Sequence, residues 1–189
     1  MKKILVLDNY DSFTYNLVHY IEAILTIRVD VKRNDEITLS DVDTYSHVVL
    51  SPGPGLPKDA GIMPELLKQF CHTKNILGIC LGHQAIIENF GGKIHNLDKV
   101  YHGVASEITI NNTIKIFSDL PFKLNVGRYH SWAAYENELP AQLKSIANFG
   151  NINMGILHND FNVTGLQFHP ESILTPFGLQ MIKNWLIEP

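Results

Sequence analysis

Cys80 stands between Gly78 and Gly82, where a short apolar run, residues 76–79, meets a helical pattern over residues 81–90. A strand-to-helix joint framed by glycines is a sharp turn from which one side chain projects alone, the arrangement of a nucleophile elbow. The free amides that open a helix favour a thiolate over a thiol. Lone cysteines are more often buried structural residues. The glycine frame sets Cys80 apart, whereas Cys71, the other cysteine, has no such frame and sits near a predicted helix end.

A thiolate nucleophile needs a group that holds a proton and returns it to a leaving amine. His169-Pro170-Glu171 supplies a candidate. In an extended segment residues i and i+2 face the same side, and Pro170 fixes its own φ and biases His169 toward an extended conformation. Glu171 would then orient or charge-stabilise the imidazole. A metal site is the rival reading of His-x-Glu, but no Cys-x-x-Cys or His-x-x-x-His pair completes it. A third segment, Ser51-Pro52-Gly53-Pro54-Gly55, has no N–H on its prolines, so Gly53 and Gly55 supply the donors on a stiffened backbone. Such donors suit an oxyanion, with the N–H of Leu81 as a second one. An ordinary turn and a phosphate-binding nest are alternatives that this loop alone leaves open.

These segments need a scaffold that delivers them to one place. Residues 4–7 and 47–50 are continuous apolar runs of the kind that buried parallel strands produce, as are residues 76–79. Between them, apolar residues recur at helical spacing from Phe13 to Leu25, with Ser12 as N-cap, and again over residues 61–70. Residues 27–32 alternate as a strand, and Gly91-Gly92 stops the helix of 81–90. Further on, residues 105–110 and 113–117 flank Asn111-Asn112 and predict a hairpin. Strands are expected at 143–148, 154–158 and 163–168, and a last helix at 176–187 with Thr175 as cap and Pro176 at its first position. The reading is one α/β domain whose mixed sheet is parallel at its centre. In such sheets ligands bind beyond the carboxyl ends of the strands, where all three peculiar segments fall.

Composition narrows the classes. With 189 residues and 45% hydrophobic content, the chain is long enough for one core without staples. Two cysteines exclude a disulfide-dense secreted scaffold and point to a reducing cytosol. A formal charge of −4 with dispersed basic residues leaves no footprint for nucleic acid or an anionic membrane. No stretch approaches the ~20 apolar residues of a membrane span, and the apolar run after Met1-Lys2-Lys3 is too short for a signal peptide.

Pro52-Gly53-Pro54-Gly55, Gly78-Ile79-Cys80-Leu81-Gly82-His83-Gln84 and Gln167-Phe168-His169-Pro170-Glu171-Ser172 together resemble the class I, triad-type glutamine amidotransferases, over essentially the whole chain. Residues 6–14 and Arg128-Tyr129-His130-Ser131 are similar, more narrowly, to the small subunits of anthranilate synthase and aminodeoxychorismate synthase. The resemblance implies a three-layer sandwich with a flavodoxin-like core, filling residues 1–189 as one domain. It implies that Cys80 attacks the side-chain amide of glutamine to form a thioester, that His169 is general acid and base, and that Glu171 orients it. Gly53 and Leu81 would form the oxyanion hole, while Gly53, Pro54, Gly55, Leu81, Gln84, Ser131 and Trp132 would hold the substrate. Many relatives carry a smaller aliphatic residue where Trp132 stands.

The same resemblance implies a chorismate-binding large subunit as partner, with the loop 100–103 near the interface, magnesium in the partner and no cofactor or metal in this chain. An ordinary exposed loop is the other reading of 100–103. Residues 100–105 and 172–176 look closer to the anthranilate synthase, tryptophan-pathway members than to those of the folate pathway. Two other classes stand beside this one. One is a stand-alone Cys hydrolase, either a γ-glutamyl hydrolase or a peptidase of related fold. The other is a flavodoxin-like binding module, for which the loop 8–14 lacks the glycine that close phosphate approach needs.

Overall fold

A computed structural model describes residues 2–187; Met1, Glu188 and Pro189, the ends of the expected domain, lie outside the described residues. The apolar runs become the centre of a nine-stranded sheet. In chain order the elements are β1 (Ile4–Asp8), α1 (Thr14–Leu25), β2 (Asp30–Arg33), α2 (Leu39–Val42), β3 (His47–Leu50), α3 (Met63–Phe70), β4 (Asn75–Ile79), α4 (Leu81–Asn89), β5 (His95–Asn96) and β6 (Val104–Ile110). They continue with β7 (Lys123–Arg128), β8 (Trp132–Ala133), β9 (Leu143–Phe149), β10 (Ile152–His158), β11 (Val163–Leu166) and α5 (Gly178–Leu186). The large sheet runs β2-β1-β3-β4-β11-β10-β9-β6-β7, and β5 pairs with β8 in a separate ribbon. The first five strands are parallel and the rest add antiparallel, which is the expected mixed sheet with a flavodoxin-like parallel core.

Strand β1 shows why there are three layers. Its side chains alternate between faces: Ile4 and Val6 join a core with Leu17 and Ile21 of α1 and Met181 of α5, while Leu5 and Leu7 join a core with Leu66 of α3 and Ile86 of α4. Both faces are fully buried, each large aliphatic side chain contributing about 2 kcal/mol of transfer free energy.

Several local expectations change. The predicted hairpin partner of β6 is not 113–117 but β7. The Asn111 side chain accepts from the N–H and hydroxyl of Thr113, closing a local turn. Residues 115–117 then form a single tight helical turn that buries Ile116 and Phe117, and the Ile110 N–H bonds Phe122 instead. Strand β2 begins at Asp30 rather than residue 27, because Ile27 and Val29 pack onto the core before the ladder starts. Ser12 does not cap α1. The carboxylates of Asp8 and Asp11 take the donors there, Asp8 from the Thr14 hydroxyl at 2.8 Å and Asp11 from the Phe13 N–H at 2.8 Å.

Candidate active site

Three adjacent parallel strands end level with one another: Leu50 of β3 pairs with Gly78 of β4, and Ile79 of β4 pairs with Leu166 of β11. The register therefore delivers the loop 51–55, Cys80 and the segment 167–171 side by side, although 89 positions of chain separate Cys80 from His169.

Cys80 has φ 50° and ψ −95°, a left-handed conformation that costs a non-glycine residue about 1–3 kcal/mol. Flanking bonds hold it: the Cys80 N–H donates to Leu166 O at 2.8 Å and the Cys80 carbonyl accepts from the Gln84 N–H at 3.0 Å. The framing glycines let α4 settle onto the sheet. A Cβ on Gly78 would lie 2.5 Å from the Gly82 carbonyl carbon, and one on Gly82 would lie 2.6 Å from Leu50 O. Cys71, at the C-cap of α3, is buried away from this joint.

His169 and Glu171 meet, but across a turn rather than along an extended segment. The Ser172 N–H donates to His169 O, closing a four-residue turn with Pro170 at its second position. Across it the His169 Nδ1–H donates to Glu171 Oε1 at 2.6 Å, both side chains being buried. Thr175 does not cap α5, whose N-cap position is Phe177. Its hydroxyl instead donates to His169 O and accepts from the Gly127 N–H, tying the turn to β7. The rings of Phe13 and Tyr129 pack on His169 at 5.8 and 4.8 Å between centroids. Among the described residues none hydrogen-bonds the Nε2 edge, yet the neighbouring Cys80 side chain acts on it. Burial pulls the His169 pKa down, but Cys80 and Glu171 together outweigh it and raise it to about 10. These contacts favour the protonated form of the imidazole.

The loop after β3 is fastened to β1. Ser51 Oγ accepts from the Asn9 N–H at 2.8 Å, and the Asn9 amide donates to Ser51 O at 2.9 Å. Gly53 is pressed against Asn9 so closely that a Cβ would meet Asn9 O at 2.5 Å, and Gly55 adopts φ +77°. A cleft of about 180 Å³ opens between this loop and the chain after β7. Gly53, Pro54, Gly55, Cys80, Gln84, Ser131 and Trp132 line it, with Tyr129 and His130. Of the other residues expected at the site, His169 and Glu171 are buried away from the lining, and Leu81 faces a neighbouring hollow with Asn9 and Pro54. For Leu81 the relevant group is its backbone N–H, which opens α4 and is left unpaired by the helix itself.

The Trp132 carbonyl gathers the cleft together. It accepts from Gln84 Nε2 and from His130 Nδ1, each at 2.9 Å. His130 Nε2 in turn accepts from the Arg128 guanidinium at 3.1 Å, which fixes the neutral Nδ1–H tautomer. Burial, and then the Arg128 charge, hold the His130 pKa down at about 3. Arg128 is wholly buried, its guanidinium 3.3 Å from the Tyr101 ring centroid and 4.6 Å from that of Phe149. On the other side the backbone of 95–103 binds the same segment, Leu97 N–H to Ser131 O and Tyr101 N–H to His130 O. The roles of Arg128, Tyr129, His130 and Gln167 escape sequence reasoning, although three of them sit in one quoted motif; their signal is adjacency to a site residue. His83, between two site residues in sequence, is packing: it is fully buried against Gly165, and burial lowers its pKa to about 3. Among the described residues no group of three or more His, Cys, Asp or Glu side chains could hold a metal ion. No helix among them is long and apolar enough to cross a membrane.

The arrangement can perform nucleophilic acyl chemistry on a small substrate. The family profile "Glutamine amidotransferase class-I" matches residues 5–189. Aminodeoxychorismate synthase component 2 of Escherichia coli (strain K12) is 44% identical over 186 residues, covering 97% of this chain and 98% of that one. Anthranilate synthase component 2 of Lactococcus lactis subsp. lactis (strain IL1403) is 44% identical over 185 residues, covering 97% and 93%. A glutamine amidotransferase of Thermotoga maritima, solved as a crystal structure, shares the fold with a TM-score of 0.79 at 17% identity, covering 98% of this chain and 96% of that one. Spanning nearly all of the described fold and both halves of the site, these matches show that the chain belongs to the class-I glutamine amidotransferase family.

Proposed function

We propose that this chain is the glutamine-hydrolysing subunit of a cytoplasmic anthranilate synthase, releasing ammonia to a chorismate-binding partner in tryptophan biosynthesis. The observation that carries the hydrolysis is the buried His169–Glu171 pair, 2.6 Å apart, beside the strained Cys80 at the end of the adjacent strand. Cys80 Sγ attacks the side-chain amide carbon of glutamine. The Gly53 and Leu81 N–H groups receive the oxyanion. The His169 imidazolium gives its proton to the amide nitrogen, ammonia leaves, and a γ-glutamyl thioester remains. Now neutral, His169 takes a proton from water, which attacks the thioester; the sulfur leaves and glutamate is released. Pro54, Gly55, Gln84 and the backbone of Ser131-Trp132 hold the substrate's other groups. Gln84 spends both amide hydrogens on Trp132 O and Gln167 Oε1, so its Oε1 is the atom left to accept from the substrate.

A docked partner is supported by Ile173, 95% exposed just beyond the triad turn, and by Val100, 67% exposed in the loop that carries Tyr101. No cofactor is assigned to this chain; magnesium belongs to the partner. Aminodeoxychorismate synthase is the second reading, favoured by relatives of both kinds at equal identity. The test is to purify the chain with its chorismate-binding subunit, supply glutamine, chorismate and magnesium, and identify the product. Anthranilate supports the first reading and aminodeoxychorismate the second. Strong glutaminase activity that no partner stimulates would overturn both in favour of a stand-alone hydrolase.

A further inference from the structure

The structure assigns Gln167 as a hydrogen-bond donor to the Cys80 sulfur, a part in the chemistry separate from the triad and the oxyanion donors. The assignment rests on reading Cys80 as the nucleophile. Register puts the two side by side: Ile79 and Leu166 are the last paired residues of β4 and β11, so Cys80 and Gln167 are the first residues beyond the ladder. The Gln167 Nε2 lies 3.6 Å from Cys80 Sγ, and the side chain is wholly buried. Its orientation follows from its neighbours. Trp132 O can only accept, so the Gln84 atom 2.9 Å from it is the amide nitrogen. That nitrogen places its other hydrogen toward Gln167, at 3.3 Å, so the Gln167 atom there is the oxygen and its NH₂ faces the sulfur.

A fixed N–H beside sulfur stabilises the thiolate over the thiol. It acts when Cys80 must be an anion to attack, and again when the sulfur regains its electron pair as the thioester breaks. The oxyanion donors act on the substrate oxygen and cannot replace it. The donor is itself held by the Gln84–Trp132 link, so one hydrogen-bonded chain fixes both the nucleophile and the backbone that recognises glutamine.

The experiment is alkylation of Cys80 by iodoacetamide across a range of pH in the isolated chain, with Cys71→Ser as the common background so that one thiol reports. For Gln167→Leu the rate near neutral pH falls about tenfold, the worth of one charge-assisted hydrogen bond, and the profile moves to higher pH with its alkaline plateau kept. Gln167→Glu, nearly isosteric, keeps an acceptor for Gln84 and turns a carboxylate oxygen to the sulfur; its rate falls further. The Glu variant decides alone should the Leu variant not fold. Profiles that superimpose on that of the Gln167 protein overturn the proposal. The readout needs neither glutamine nor a partner. An altered profile, with no glutaminase in the parent even when it is paired with its chorismate-binding subunit, would sink the proposed function and leave this assignment standing.

Discussion

The first residue of α5 touches the turn that carries His169 and Glu171: a Cβ on Gly178 would lie 1.6 Å from the Pro170 carbonyl oxygen. Backbone occupies both sides of that contact, so neither can swing away. Gly178→Ala therefore pushes α5 off the His169–Glu171 turn. Overpacking of this kind costs about 1–3 kcal/mol, which for a chain of this length lowers the melting temperature by roughly 2–12 °C. Thermal melting followed by circular dichroism reads the shift, and glutaminase activity should fall with it. A variant that melts with the parent would show that α5 is not what clamps the turn.

Removing the sulfur separates the two half-reactions. In the complex proposed above, Cys80→Ser abolishes glutamine-dependent product formation while the partner still uses free ammonia. Cys71→Ser, buried at the C-cap of α3 and remote from the cleft, leaves both activities near the parent level. Assays of the paired proteins with glutamine or with an ammonium salt distinguish these outcomes. Loss of ammonia-dependent synthesis in Cys80→Ser would contradict the division of labour.

Stability should fall on the alkaline side because of His169. Its folded-state pKa is raised from 6.5 to about 10, so the folded protein holds a proton that the unfolded chain gives up first. The stabilisation is fully present below about pH 6.5 and is lost as pH rises toward 10. Urea midpoints across that window should decline in the parent and stay flatter in His169→Gln. Parallel slopes in the two proteins would rule out His169 as the source.

Much of this site is legible in the sequence, since a register of apolar runs and a few glycines set it. The Gly78 and Gly82 frame marks Cys80 because α4 cannot approach β3 and β4 with larger residues there. The His-Pro-Glu spacing identifies the buried pair even though the contact crosses a turn. What escapes is set by distant partners. Thr175 reads as a helix cap because its hydroxyl can satisfy helical N–H groups, but Gly127 and His169, brought by two other strands, claim it first. Residues 113–117 read as a strand because Ile114, Ile116 and Phe117 are apolar, yet the Asn111–Thr113 bonds fold the chain sooner than a ladder can form. Arg128 and Gln167 show in the sequence only as neighbours of site residues, because a buried cation or amide acquires its role from the rings and carbonyls around it.

Arg128 offers the test of how far the cleft depends on that chain of contacts. Its guanidinium lies against the rings of Tyr101 and Phe149 and donates to His130, which orients the Trp132 carbonyl and so the Ser131–Trp132 backbone. Lysine keeps the charge but loses the planar stack and the fixed fork of donors. In Arg128→Lys the imidazole of His130 is freed to rotate, and the segment proposed to recognise glutamine loosens while Cys80, His169 and Glu171 stay on their own strands. The expected result is a KM for glutamine raised about tenfold, as for the loss of one buried hydrogen bond, with kcat changed much less and ammonia-dependent synthesis by the complex unaffected. Steady-state kinetics with each nitrogen source measures this. A fall in kcat at constant KM would instead place the effect on the nucleophile and count against the route through Trp132.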